Sequence, residues 1–382
     1  MKRIAIIFEF GTLYGGEHSM LAVIDRLAGQ WFEFVAIAPQ HGRLADAIRQ
    51  RSIRHVPLQL HDARGERLSR NAARNSLVDA IARCSPDVVH ANSLSMSRLT
   101  GAIADEMAIP CIAHLRDIIK LTKAAINDLN SNRLLIAVSQ ATRNFHVEQG
   151  LDAAKTLVRY NGVDCDRYHL RPPTGWLKRE FNLPNDCFLA ATIGQIGLRK
   201  GQDVLAEAAV LAAEHLPDNC YLLVGERNST KRESVDFEAN VVACFQHAGL
   251  DKNFRCLGFR EDIPRLMNEV DLLIHPSHQE PFGRVLLEAA ASELPILATD
   301  VGGTTEILQD GDSARLVPPG NAQALADALI DLHSNPSMRT QFARKARSCV
   351  QLTFNIDQAV RELVDVWSQT AGSDTNQLCF SD

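Results

Sequence analysis

The sequence predicts an α/β protein of two doubly wound domains, each a parallel sheet with helices on both faces. Three observations carry that expectation. Short apolar runs of strand length recur along the chain, stretches of helical periodicity lie between most of them, and 382 residues exceed the roughly 100–200 expected of one domain. Strands that alternate with helices are joined by crossovers and run parallel, and strands covered on both faces are apolar throughout instead of alternating.

In chain order the strand runs are residues 3–8, 34–38, 87–90, 110–114, 134–138, 188–193, 220–224, 271–275 and 295–299. Helical stretches between them include 17–28, 201–216 and 321–333, where apolar residues return at spacings of three and four. Asn161-Gly162, Pro172-Pro173, Gly175 and Pro184 cluster as turn punctuation and mark a change of domain. This gives a first domain over 1–165 and a second over 166–355. The periodic segment 356–372 has no strand after it and is expected to cross back onto the first domain as a helix, with 372–382 a loose tail.

A composition of 46% apolar and 23% charged residues is that of a globular protein and excludes disordered and collagen-like chains. With 40 Lys+Arg against 46 Asp+Glu, the net charge is −6. No long Lys/Arg block offers the clustered charge that nucleic acid requires, so nucleic acid is not an expected partner. One local exception stands out: residues 41–83 hold nine Arg, no Lys and four acids. A basic face there suits an anionic acceptor or an anionic membrane surface, and ordinary solvated helices account for it equally well. The nine cysteines are scattered without a CxxC pair and read as reduced thiols. The apolar run at 1–8 ends at Glu9, short of a signal peptide, and nowhere do about 18 apolar residues follow one another. These features set a cytoplasmic expectation, with peripheral contact at the inner membrane face left open.

In open parallel sheets, ligands bind beyond the carboxyl ends of strands, where helix N-termini offer N–H groups to anions. Three loops qualify. In Gly11-Thr-Leu-Tyr-Gly15-Gly16-Glu17 the paired glycines allow close backbone approach to a phosphate, or a plain turn. Gly194-Gln195-Ile-Gly-Leu-Arg199-Lys200-Gly201 follows a strand and sets two cations beside glycines at a helix start, which suits a diphosphate. In the third loop, the strand ends at His275, Pro281 and Gly283 make a turn, and 284–293 reads as a helix. Glu280 and Glu288 then stand about 12 Å apart along a helix axis at 1.5 Å per residue, a spacing for two ends of a nucleotide sugar and not for one metal ion.

Taken in order, Gly15-Gly16-Glu17, Val88-Val-His90-Ala-Asn92, Val138-Ser139, Asn161-Gly-Val-Asp164, the Lys200 loop, Glu280-x7-Glu288 and Val301-Gly-Gly-Thr-Thr-Glu306-Ile307 resemble the retaining family 4 glycosyltransferases of GT-B fold, over nearly the whole chain. The resemblance implies two Rossmann-like domains facing a central cleft, with the acceptor site mainly in the first and a nucleotide-diphosphate sugar (UDP-, GDP- or ADP-linked) mainly in the second. By the same resemblance Glu280 bonds hydroxyls of the donor sugar, Glu288 holds the ribose, Lys200 balances the diphosphate, and Gly16 gives its N–H to the distal phosphate. Backbone near Gly225, Phe259 and Arg260 meets the base, and Gly15, Gln195, Phe282, Gly283, Arg284 and Val285 line the nucleotide sugar. The family commonly carries a functional histidine at the strand end occupied here by His114, a candidate for sugar or acceptor contact. His90 is its competitor, a strand-end histidine bonded to backbone is the plain alternative, and His275 and His278 read as structural.

The chain departs from the family at Gln195, where an Arg is usual, and Arg199 is expected to take over that cation's task. Asp164-Cys165-Asp166 matches the metal motif of a different glycosyltransferase fold but sits in the linker, so no metal and no other cofactor is expected. The implied reaction is retaining transfer of a sugar to a hydroxyl acceptor, whether glycan, lipid-linked or small molecule. The alternatives are a nucleotide-sugar 2-epimerase or hydrolase of the same architecture, or a non-catalytic nucleotide-sugar-binding protein.

Overall fold

The computed structural model describes residues 1–27 and 30–372, so Ala28 of the first expected helix and, except for Gly372, the expected tail lie outside the described residues. The chain divides into two compact units: Met1–Gly162 with the segment from Ile356 onward, and Val163–Asn355.

The first unit is built on β1 (Lys2–Ile7), β2 (Phe32–Ala38), β3 (Arg54–Pro57), β4 (Val88–Ala91), β5 (Cys111–Leu115), β6 (Leu134–Ala137) and β7 (Thr156–Val158). They form one sheet in the order β3-β2-β1-β4-β5-β6-β7, parallel at every pairing. The register sets Ile4 between Phe34 and Val88. Ile4, Ile6 and Phe8 enter one core and Ala5 and Ile7 the opposite one, which is why β1 reads as a continuous apolar run. The helix Ile356–Thr370 covers the Ile4 face with Val360, Leu363, Val364 and Trp367.

The second unit carries β8 (Phe188–Ile193), β9 (Asn219–Val224), β10 (Phe254–Gly258), β11 (Leu272–His275), β12 (Ile296–Thr299) and β13 (Arg315–Val317). The order β10-β9-β8-β11-β12-β13 is again parallel throughout. Each sheet reverses its winding once, between β1 and β4 and between β8 and β11. Crossovers leave these strands toward opposite faces, so the backbone parts beyond their carboxyl ends, as at the ligand crevice of open α/β sheets. The Gly15-Gly16 loop follows β1, the Lys200 loop follows β8, and the Glu280 loop follows β11.

Several expected boundaries shift. The first helix starts at Gly15, the helix after the Lys200 loop is Gln202–Ala212, and the one after Glu280 is Arg284–Ala291. Glu280 therefore precedes a turn instead of lying on a helical path, and the 12 Å helical rise does not describe its distance from Glu288. In the Arg-rich segment, Arg51 grips Asp25 with two bonds of 2.7 and 2.8 Å, Arg67 meets Glu9 at 2.9 Å, Arg70 meets Asp128 at 2.6 Å and Arg74 meets Glu106 at 2.6 Å. Arg49 pairs with Asp46. Acids outside the segment thus answer much of its positive excess. Among the described residues no helix is long and apolar enough to cross a membrane.

Burial predicts which leucines hold the second unit together. Leu329 is fully buried in its core, whereas Leu352 is 79% exposed. Leu329→Ala is expected to cost about 2–5 kcal/mol through lost burial and the cavity left behind, and Leu352→Ala to stay within about 0.5 kcal/mol, as read from urea midpoints.

Candidate active site

In the second unit, two strand-end loops are locked backbone to backbone. Gly194 N–H donates to the Val224 carbonyl at 2.9 Å, and Gly225 N–H donates to the Gly258 carbonyl at 2.8 Å. Gly225 has φ +139°, and a Cβ there would sit 1.8 Å from the Gly194 carbonyl oxygen, so only glycine permits the approach. The Lys200 loop is held from within: the buried Gln202 side chain donates to the Gln195 carbonyl at 2.9 Å and accepts from Gly197 N–H at 3.3 Å. Gly201, at φ +65°, packs against the Pro276 carbonyl, and the Arg199 carbonyl accepts from His278 N–H at 2.9 Å. The Lys200 and Glu280 loops are thereby one built object.

Lys200 Nζ donates to Glu280 Oε2 at 2.5 Å, and His275 Nε2 bonds the same oxygen at 2.8 Å, with Ser277 Oγ 3.0 Å from that nitrogen. Burial alone would raise the Glu280 carboxyl, but the Lys200 charge and the His275 hydrogen bond hold it well below the ordinary carboxylate range. Glu280 is a fixed anion. Burial holds His275 below its usual value against the pull of Glu280, leaving it a neutral strut. The Arg199 side chain is exposed, in contrast to its neighbour.

Phe282 is buried edge-on to Phe354, Gly283 turns the chain at φ +102°, and Arg284 and Val285 open the helix that carries Glu288. Glu288, 7% exposed, is ion-paired with Arg284, Nη2 lying 2.7 Å from Oε1. Burial and the nearby Glu288 carboxylate push the Tyr168 phenol up. Phe259 and Arg260 follow β10. The Arg260 guanidinium is spent on Asp262, with two bonds of 2.8 Å, and on Glu180 at 3.0 Å, which leaves backbone as what this segment offers a base. Asp164 caps a turn, accepting from the backbone N–H groups of Asp166 and Arg167 at 2.9 and 3.1 Å. No cluster of three or more His, Cys, Asp or Glu is placed to hold a metal among the described residues.

In the first unit, Gly15 and Gly16 open the helix Gly15–Arg26, and a Cβ on Gly16 would lie 3.2 Å from Arg116 Cδ. Sequence reasoning missed Arg116. Its guanidinium donates to Asn92 Oδ1 at 2.9 and 3.1 Å, to Asn161 Oδ1 at 2.9 Å and toward His114 Nδ1 at 3.2 Å. All these partners are neutral, and burial pushes its pKa down to about 10. Glu17 and Asp117 act on it only through space, and a cation so held beside a helix N-terminus is a place for an anion. The signal available in the sequence was the Arg-Asp pair directly after the expected strand end. His114 and His90 are both buried and bond each other at 3.0 Å; neither is bonded to backbone by its ring.

These histidines give the fold a pH dependence. Burial lowers His90 from 6.5 to about 3 and His114 well below 6.5, with Arg116 adding to both. The unfolded chain binds protons that the folded chain refuses, so stability falls as pH drops below about 6.5. At pH 5, His90 alone accounts for about 2 kcal/mol. Urea midpoints at pH 7.5 and 5.0 should show this loss, and His90→Gln should flatten the profile.

Comparison with known proteins accords with this geometry. The family described as "Glycosyltransferase Family 4" matches residues 14–167, and "Glycosyl transferases group 1" matches residues 177–348. The chain belongs to the glycosyltransferases that combine these two domains. Among relatives, EpsD of Bacillus subtilis is 28% identical over 56% of this chain and 55% of its own length, so the match spans about half of that protein. The UDP-Gal:alpha-D-GlcNAc-diphosphoundecaprenol alpha-1,3-galactosyltransferase of Escherichia coli is 23% identical over 74% of this chain and 75% of its own. Among solved structures, Anabaena HepE in complex with UDP and glucose superposes with a TM-score of 0.86 at 23% identity, over 96% of this chain and 100% of that one. The architecture is GT-B.

Proposed function

We propose that this glycosyltransferase moves a sugar from a UDP-sugar to a hydroxyl of an anionic, lipid-linked acceptor, with retention of anomeric configuration. The observation that carries the reading is the Lys200–Glu280 pair, 2.5 Å apart on adjoining strand-end loops of the unit matched by group 1 glycosyl transferases, one turn before the helix of Glu288. The UDP and glucose bound by HepE support the donor, and the diphosphate lipid in the name of the Escherichia coli relative supports the acceptor class.

In this reading Glu280 accepts from hydroxyls of the donor sugar and Glu288 from the ribose hydroxyls. Lys200, with Arg199 beside it, balances the charge that grows on the diphosphate as it leaves; such preorganised electrostatics dominate many enzymes. Gly16 N–H and Arg116 serve the distal phosphate, and His114 contacts a hydroxyl of the donor sugar. A donor phosphate oxygen takes the acceptor's proton through an oxocarbenium-like transition state. With these cations and helix N-termini on the phosphates, we propose that the reaction needs no divalent metal.

NMR of the first-formed product in EDTA is expected to show the donor's anomeric configuration kept. An inverted product would overturn retention, and activity lost in EDTA and restored by Mg²⁺ would overturn metal independence. The two carboxylates should separate by titration calorimetry with UDP. Glu288→Ala is expected to weaken UDP by about 10- to 100-fold, the scale of a charged hydrogen bond. Glu280→Gln, which frees Lys200 from its ion pair, should leave UDP affinity intact while lowering turnover by a similar factor.

A further inference from the structure

His114 has one ring nitrogen accounted for by its neighbours and one that is not. The chain of bonds starts at Trp367, on the C-terminal helix. Its indole Nε1–H can only donate, and it points at His90 Nδ1 from 2.9 Å. That nitrogen therefore carries no proton, and the neutral His90 ring holds its hydrogen on Nε2. His90 Nε2 lies 3.0 Å from His114 Nδ1, to which Arg116 Nη2 also points from 3.2 Å. Two donors thus converge on His114 Nδ1, and the one proton of the neutral ring is left for Nε2. Trp367 and His90 are fully buried and His114 is 2% exposed, and neither histidine takes a second proton in this environment. His114 Nε2 is itself buried and meets no hydrogen-bond partner, and neither does Ser19 Oγ. Both residues line one recess of the first unit, together with Arg116, Tyr160, Asn161 and Gly162.

We propose that Trp367 is a positioning residue that, relayed through His90, locks His114 as the Nε2–H tautomer and so presents a fixed hydrogen-bond donor to a sugar hydroxyl oxygen. The inference rests on the reading of His114 as a sugar contact, and it adds residues that never touch the sugar. Without the indole N–H, His90 Nδ1 is free to take the proton and His90 Nε2 to become an acceptor, which leaves the longer Arg116 contact of 3.2 Å as the one donor still opposing a proton on His114 Nδ1, so the lock on its tautomer is weakened.

The lock is tested on the full chain labelled with ¹⁵N-histidine, where long-range ¹H–¹⁵N spectra report which ring nitrogens carry protons. His90→Gln and His114→Gln spectra assign the signals. Both rings are expected as Nε2–H with bare Nδ1, unchanged between pH 6 and 8. Trp367→Phe keeps an aromatic ring against Phe32 and Phe34 but removes the donor; it should mix the tautomers of both histidines and lower kcat by about five- to tenfold, the scale of one hydrogen bond, with KM for the UDP-sugar moving less. In a His114→Gln background, whose amide has no tautomer to lose, the same change should cost nothing further. His114 protonated on Nδ1 in the unaltered protein overturns the proposal, and that spectrum decides even if the Trp367 variant does not fold. Tautomers unmoved by Trp367→Phe overturn it as well. Mixed tautomers with unchanged kcat would uphold the lock and overturn the sugar contact.

Discussion

A parallel sheet whose strands are joined by helices has no face to leave in water, and in this protein most of the rest follows from satisfying that constraint twice. The buried residues of β1 must be apolar whichever way they point, so Ile4 and Ile6 serve one core and Ala5 and Ile7 the other. The helices needed to cover both faces force the winding to reverse once per sheet, and the reversal opens the backbone beyond β1 and β4 in one unit and β8 and β11 in the other. The Gly15-Gly16, Lys200 and Glu280 loops lie at those openings, where strand ends and helix starts meet.

The two openings are furnished differently. In the second unit, loops too tight for any side chain at Gly225 and Gly201 bring a lysine and a carboxylate into contact, and a neutral histidine holds the carboxylate in place. Opposite charges satisfy each other there. In the first unit, the cation Arg116 has amides and an imidazole for hydrogen-bond partners, and the Glu17 and Asp117 carboxylates act on it only through space. One site holds its cation in a contact ion pair and the other in a net of neutral acceptors.

Interior strands were legible in the sequence because both of their faces are buried and their apolar runs are unbroken. The strands that escaped notice, β3, β7, β10 and β13, are the four sheet edges. They are short or carry residues such as Arg54 and Arg255 that reach water, so they lack the continuous run that marks a covered strand. The Lys200 and Glu280 loops could be singled out because glycines and charges sit directly after recognisable strands. The Trp367–His90 contact could not: it joins residues 277 apart in sequence, and nothing local to either residue announces the other. Arg116 was hidden for the same reason, since its meaning lies in Asn92, Asn161 and Gly16 being brought around it.

The first unit is discontinuous in the chain, with its Ile4 face covered by a helix that begins at Ile356. On a ribosome, strands β1 to β7 emerge early with the helices Gly15–Arg26 and Arg43–Gln50, whose Met20, Leu21, Leu44 and Ile48 cover part of that face, and the rest of its cover comes only with the segment from Ile356. The second unit, an unbroken segment from Val163 to Asn355, has all its parts before then. Domains usually complete themselves in order of synthesis, N-terminal first. Here the order is inverted: part of the Ile4 face stays open until the helix from Ile356 is made, after every strand of the second unit.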